Sequence, residues 1–408
     1  MIITARVVLT MDGPPLPNGA VAIEGNRITA VGPVAEILAS KRGDVLDLGD
    51  RVLLPGLINA HCHLDYTLLW RSIDPPKSFT GWVQRINALK RSFDTDDYLA
   101  AVARGFSDLQ RWGTTAVCNI ESFPELMPRL PPSPIRTWWF YEMIDVRHRK
   151  TPLEVVAGAL QFFQHRDGSL DGFGLSPHAP YTASMQLYHL ANECASQFQM
   201  PLTTHVAESR EEFQMFHAAG GPLYEFMRSI GRPMGECGGV TPFTHLWRQG
   251  AINSGWILAH MNELAESDFL LLTSLPRGRA PSIVHCPGSH RYFSHAPFLL
   301  RRLDELGINV CVGTDSLAST ESLSLLAELR MLWKNEPWLS AEQLLQMVTV
   351  NAARAVHRPG QLGIISAGAL ADLIALPTSR NVAAIHEEVV RFDQPIPWMM
   401  IDGNVVSS

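Results

Sequence analysis

Apolar and polar positions change rhythm twice along the chain. Up to about residue 53 the apolar runs are short and alternating. Met1–Met11, Ala20–Ile23 and Arg27–Val31 read as strands, with Gly25–Asn26 as a hairpin turn. Val52–Leu57 leads into a second regime that lasts to about residue 360. There, short apolar runs (Leu57–Ala60, Thr114–Ile120, Thr137–Met143, Gly172–Leu175, Leu202–Val206, Trp256–Ala259, Ser282–His285 and Asn309–Gly313) alternate with amphipathic stretches such as Asp96–Arg111, Met185–Gln197 and Ser322–Leu332. Repeated strand–helix units demand a parallel sheet, and eight of them predict an α/β fold of the closed (β/α)8 TIM barrel type. An open doubly wound sheet is the alternative, but no Gly-x-Gly-x-x-Gly follows any of these runs. After Asn351–Val356 strand-like runs return at Gly363–Ile365, Ala371–Leu376 and Trp398–Ile401, the last followed by the turn Asp402–Gly403. The pattern predicts a barrel over 54–362 and a small β-sandwich domain built from both chain ends, 1–53 and 363–408.

Composition narrows the class. The 408 residues are 46% hydrophobic and 18% charged, enough apolar material for a barrel core and too much for disorder. The formal charge is −7 and no basic run stands out, so no nucleic-acid partner is expected. Six scattered cysteines form no Cys-x-x-Cys pair and sit mostly in apolar stretches, the pattern of reduced, buried thiols. The opening segment lacks the long apolar run of a secretory signal, and no run of about 20 apolar residues could span a membrane. A cytoplasmic location is the expectation.

The chemistry lies where the apolar runs stop. Asn59-Ala60-His61-Cys62-His63 follows Val52–Ile58, so alternation turns His61 and His63 to the same side, into the barrel mouth. Leu202–Val206 carries His205 near its end, with Glu208 three residues on. Trp256–His260 ends in His260, and Val310–Asp315 ends in Asp315. Each polar group falls at the catalytic end of a barrel strand. Three imidazoles and one carboxylate suit Zn²⁺ or Fe²⁺ and leave room for a water, whose pKa such an ion lowers from about 15.7 toward ~7. Glu208 is placed to protonate a ring nitrogen and then a leaving amine; a plain helix N-terminal carboxylate, beside Ser209-Arg210-Glu211-Glu212, is the competing reading.

These motifs resemble the amidohydrolase superfamily over nearly the whole chain. They include Pro55-Gly56-Leu57-Ile58-Asn59-Ala60-His61-Cys62-His63, the His205–Glu208 spacing and Gly313-Thr314-Asp315-Ser316. The resemblance is to the mononuclear branch of cytosine, guanine and adenosine-type deaminases and triazine hydrolases. It implies one divalent ion, zinc or iron, held by His61, His63, His205 and Asp315. It further implies that His260 lies beside the reactive water and that Glu208 shuttles protons. Dinuclear relatives usually carry a bridging lysine on the fourth strand; here Gly172–Pro177 has none.

The implied activity is hydrolytic deamination of an amino-substituted nitrogen heterocycle resembling an adenine nucleoside, a guanine or a pterin. Opening of a cyclic amide or loss of another ring substituent is the alternative, and a catalytically silent relative the remote one. For substrate contacts the resemblance points to His178 in Ser176-Pro177-His178-Ala179-Pro180-Tyr181-Thr182. The segment after the seventh strand offers His285, Ser289 and His290, and the aromatic loop 65–91 offers Trp82 for stacking. Ser78-Phe79-Thr80-Gly81-Trp82 and His290-Arg291-Tyr292-Phe293 look most like aminodeoxyfutalosine deaminases, whose acidic residue soon after His-x-His is matched here by Asp65. Relatives are often dimers, which makes a homodimer the family expectation.

Overall fold

A computed structural model describes residues 1–146, 150–164, 168–276, 278–379 and 381–406. Five strands come first: β1 (Ile2–Val8), β2 (Leu16–Glu24), β3 (Arg27–Pro33), β4 (Val45–Asp47) and β5 (Arg51–Pro55). Eight follow with helices between them: β6 (Leu57–Cys62), β7 (Thr114–Glu121), β8 (Arg136–Met143), β9 (Asp171–Pro177), β10 (Leu202–Val206), β11 (Trp256–His260), β12 (Ser282–His285) and β13 (Val310–Val312). Three close the chain: β14 (Leu373–Pro377), β15 (Trp398–Ile401) and β16 (Asn404–Val406).

β6 to β13 pair in sequence order as one parallel sheet, and a parallel bridge between Cys62 and Asp315 brings its edges together. The result is a nearly closed barrel. Its strands are apolar on both faces because side chains fill the interior while helices cover the outside. Ile58, Ala60, Ala116, Cys118, Phe140, Ile257, Val284 and Cys311 belong to one buried cluster. Leu57, Val117, Trp139, Leu258 and Val310 belong to a larger one with the helices.

The remaining strands form a mixed sheet in the order β16-β15-β14-β5-β1-β2-β3, with β4 also on β1. Both chain ends therefore meet in one layer, over a core of Ile3, Val21, Ile28, Leu53, Leu373 and Met400. One expected strand is absent: Gly363–Ile365 is a bend. Gly363 takes φ 71°, and a Cβ there would lie 2.5 Å from the Thr349 carbonyl carbon, so this stretch is a tight crossing. Two devices join the sheet to the barrel. β5 runs into β6 through Gly56, where a Cβ would fall 2.0 Å from Thr115 Oγ1. At the start of β8, the largely buried Arg136 guanidinium binds Asp372 (2.9 Å) and Asp402 (3.0 Å) of the sheet. No helix among the described residues is long and apolar enough to cross a membrane.

Candidate active site

The polar residues that end the barrel strands meet at its C-terminal mouth. His61 lies on β6 and His63 just past it, both buried. Donor atoms of His61, His205 and His260 lie within 4.8 Å of one another, as do those of His61, His63 and Asp315. His63 Nε2 is 3.2 Å from His205 Nε2. Asp315 Oδ1 is 3.8 Å from Nε2 of both His61 and His63.

The surroundings fix how these groups present themselves. The His178 carbonyl accepts from His205 Nδ1 at 2.8 Å, which places the ring proton there and leaves the Nε2 lone pair facing the centre. Ser289 and Ser319 hydroxyls donate to Asp315 Oδ2 at 2.7 and 2.9 Å, which leaves Oδ1 for the centre. Backbone N–H groups of Thr314 and Asp315 donate to the His61 carbonyl at 3.1 Å. Gly313 lies so close that a Cβ would sit 2.7 Å from that carbonyl oxygen. Ala207, His260 and Asp315 take φ of 52°, 75° and 58°. This left-handed backbone costs non-glycine residues about 1 kcal/mol or more each. Hydrogen bonds between neighbouring strand ends hold it, from Met261 N to Val206 O and from Glu263 N to Ala207 O.

Electrostatics follow from burial. It pushes the imidazoles of His61, His63 and His260 well below the ordinary histidine range, helped by neighbouring rings, so they stand neutral with lone pairs available. Both nitrogens of His61 and Nε2 of His260 are buried without a hydrogen-bond partner. Lone pairs converging in a buried site favour a cation among them, and the nitrogen and oxygen donor set fits one divalent metal ion.

Glu208 sits at the rim of this centre, its Oε1 3.7 Å from His260 Nε2. Burial first, then Asp315 and Glu212, push its carboxyl well above the usual range. Its backbone is pinned: Glu212 accepts from the N–H groups of Ala207 (3.1 Å) and Glu208 (2.8 Å), and Asn262 Nδ2 donates to the Glu208 carbonyl (3.0 Å). A cavity of about 880 Å³ opens above, walled by Trp82, Ile86 and Lys90 on one side and by His178, Glu142 and Phe226 elsewhere. His178 Nδ1 meets the Thr182 hydroxyl at 2.6 Å, and that hydroxyl donates to the Ala179 carbonyl, so Nδ1 is the donor and Nε2 faces Glu142 Oε1 at 4.0 Å. Burial lowers the His178 imidazole to about 4, against the opposing pull of Glu142.

Three expected substrate contacts are placed elsewhere. His285 is buried and stacks on Phe298 with ring centroids 3.9 Å apart. His290 Nε2 meets the Ala296 carbonyl at 2.8 Å. Ser289 turns to Asp315. None of the three lines the cavity: His285 ends β12 with its ring on Phe298, and the helix Pro287–Tyr292 turns Ser289 to Asp315 and His290 to the Ala296 carbonyl. The sequence reading missed Glu142 and gave Lys90, a member of the loop 65–91, no role of its own. Glu142 carried the same signal as His205, a polar residue near the end of an apolar run, but it is flanked by the aromatic run Trp138–Tyr141 and by Met143 within the strand. Lys90, on a loop helix, carried no such signal.

Known proteins resemble this chain in sequence and in fold. Residues 52–406 match the profile described as the amidohydrolase family, and residues 19–40 match a bacterial imidazolonepropionase-like composite domain. A 5-methylthioadenosine/S-adenosylhomocysteine deaminase of Pyrococcus furiosus is 28% identical over 392 residues, covering 93% of this chain and 87% of that protein. The structure of Helicobacter pylori aminofutalosine deaminase in complex with methylthio-coformycin superposes with a TM-score of 0.87 at 21% identity, covering 99% of both chains. An adenosine deaminase from Xanthomonas campestris with bound zinc does so with 0.84 at 23% identity, covering 100% of this chain and 92% of that one.

Proposed function

Because the chain belongs to the amidohydrolase family, we propose that it is a metal-dependent deaminase that releases ammonia from an amino-substituted nitrogen heterocycle of the adenine-nucleoside kind. The observation that carries this reading is a buried carboxyl, Glu208, raised by its burial well above the usual carboxylate range, at the rim of a cluster of unpaired histidine nitrogens under a cavity of about 880 Å³. The relatives' names as adenine-nucleoside deaminases support the substrate class.

His61, His63, His205 and Asp315 are the residues that would hold the ion, with His260 beside it. We assign zinc, the common partner of such a donor set. When bound, the ion acidifies water and so supplies a nucleophile at neutral pH. Asp315 Oδ1, kept free by the two serines on Oδ2, accepts the proton lost by the attacking water. His260 Nε2, without a hydrogen-bond partner in the protein, orients that water. Glu208 donates its proton to the ring nitrogen beside the amino-bearing carbon. Water's oxygen bonds to that carbon; Glu208, now a carboxylate, takes the remaining proton of the added hydroxyl as the oxo group forms, the proton held by Asp315 passes to the amine, and the carbon–nitrogen bond breaks with loss of ammonia, which returns both carboxyl groups to their starting states. Trp82 and His178 line the cavity where the flat ring and its polar edge would rest.

The test is ammonia release from 5′-methylthioadenosine, S-adenosylhomocysteine, adenosine, guanine and pterin amines by protein loaded with zinc or ferrous iron. At least one adenine nucleoside should be converted to its oxo product. A panel that releases no ammonia while a cyclic amide is opened would sink the deaminase reading. Elemental analysis showing iron instead of zinc would overturn the assignment of the ion alone.

A further inference from the structure

Glu211 lies three residues beyond Glu208, in the first turn of the helix Arg210–Ala218, and the chemistry above does not use it. Its carboxylate reaches across to another helix, Phe79–Lys90. Oε1 accepts from Phe79 N at 3.0 Å, and Oε2 accepts from Thr80 N at 2.9 Å and from the Thr80 hydroxyl at 2.5 Å. The first turn of that helix is thereby fully satisfied. Ser78 Oγ takes Gly81 N at 3.2 Å and the Ser78 carbonyl takes Trp82 N at 3.1 Å, so Glu211 supplies the acceptors that the local sequence lacks.

Helix Phe79–Lys90 is a wall of the cavity, contributing Trp82, Val83, Ile86, Asn87 and Lys90 to its lining. It arrives through an irregular, largely exposed stretch around Asp74-Pro75-Pro76-Lys77. Its far end is tied by Lys90 Nζ to the Tyr66 hydroxyl at 2.5 Å. The stretch before it is tied by the Tyr292 hydroxyl to the Ile73 carbonyl at 2.8 Å. Among the described residues, Glu211 supplies the hydrogen bonds that join the start of the wall to the segment that carries Glu208, beside the packing of Phe79 with Met215 and Phe216.

We propose that Glu211 is a positioning residue: its carboxylate latches the helix Phe79–Lys90 over the cavity and so fixes the distance between the substrate-facing wall and Glu208. The latch acts on how substrate is held, so its loss raises KM far more than it lowers kcat. That kinetic consequence rests on the deaminase reading; the latch itself rests on the geometry alone.

The experiment compares wild type, Glu211→Ala, Glu211→Gln and Thr80→Val by amide hydrogen exchange and by steady-state kinetics on the metal-loaded enzyme. In Glu211→Ala, exchange over residues 79–90 should speed up roughly tenfold against an unchanged remainder of the barrel, and KM should rise by a similar factor with kcat within about twofold. Glu211→Gln keeps an acceptor and should recover part of both effects, and Thr80→Val should give a smaller loss of the same kind. Unchanged exchange over 79–90, or a uniform rise through the whole chain with a fallen melting temperature, overturns the latch. Faster exchange confined to 79–90 in a protein that deaminates nothing upholds the latch and removes only the deaminase reading.

Discussion

At the residue scale the proposed chemistry separates groups that would touch the reacting atoms from groups that would aim them. Glu208→Gln keeps size and loses the acid, so kcat should fall by about 10²–10⁴ while bound divalent metal stays stoichiometric. Equal turnover in the variant would remove Glu208 from the mechanism. Ser289→Ala frees Asp315 Oδ2 from one of its two hydroxyl donors. Metal affinity should then drop by roughly 10–100-fold, read by competition with a chelator. His61, His63, His205, His260 and Asp315 were legible because each interrupts or ends an apolar run, where a polar side chain has no reason to be in a packed barrel. His285 looked the same in one dimension. Its ring instead packs flat on Phe298, a partner thirteen positions on that no local pattern announces.

At the element scale the barrel strands were readable and their terminal geometry was not. Eight short apolar runs separated by amphipathic stretches have one compact solution, and all eight form strands near their expected places. The left-handed φ at Ala207, His260 and Asp315 was invisible, because none is glycine and each is forced by hydrogen bonds from a neighbouring strand end. Glycine matters where two strands touch. Gly313→Ala would push a methyl group against the backbone of His61, since the new Cβ would sit 2.7 Å from its oxygen and 2.8 Å from its nitrogen. The expected outcome is a folded protein with unchanged helical circular dichroism and metal binding weakened at least tenfold, because the strand carrying Asp315 must move away from the strand carrying His61. Retention of full zinc affinity would show that this contact does not set the site.

At the scale of the whole molecule, the mixed sheet and the barrel are joined through the Arg136 pairs with Asp372 and Asp402. Arg136→Ala leaves Asp372 buried without its cation and should cost about 3–5 kcal/mol in urea unfolding, since breaking a buried pair exposes the full desolvation of the remaining charge. A loss below about 1 kcal/mol would mean that the bridge is dispensable. Removing the ion should lower the melting temperature, because a ligand at about 1,000 times its Kd contributes about 4 kcal/mol to the folded state. Restoring zinc should return it, and an unchanged melting temperature after verified chelation would argue against the assigned ligands. By itself the sequence determined the barrel, the sheet shared by both chain ends and the identity of the convergent donors, because periodicity and polar residues at strand ends are local properties. Only the tertiary structure decided that Ser289 supports Asp315, that Glu142 faces His178 and that Glu211 holds the cavity wall. Those pairings join residues 26, 36 and about 130 positions apart, and which side chains a closing barrel brings together depends on packing that no window of sequence contains.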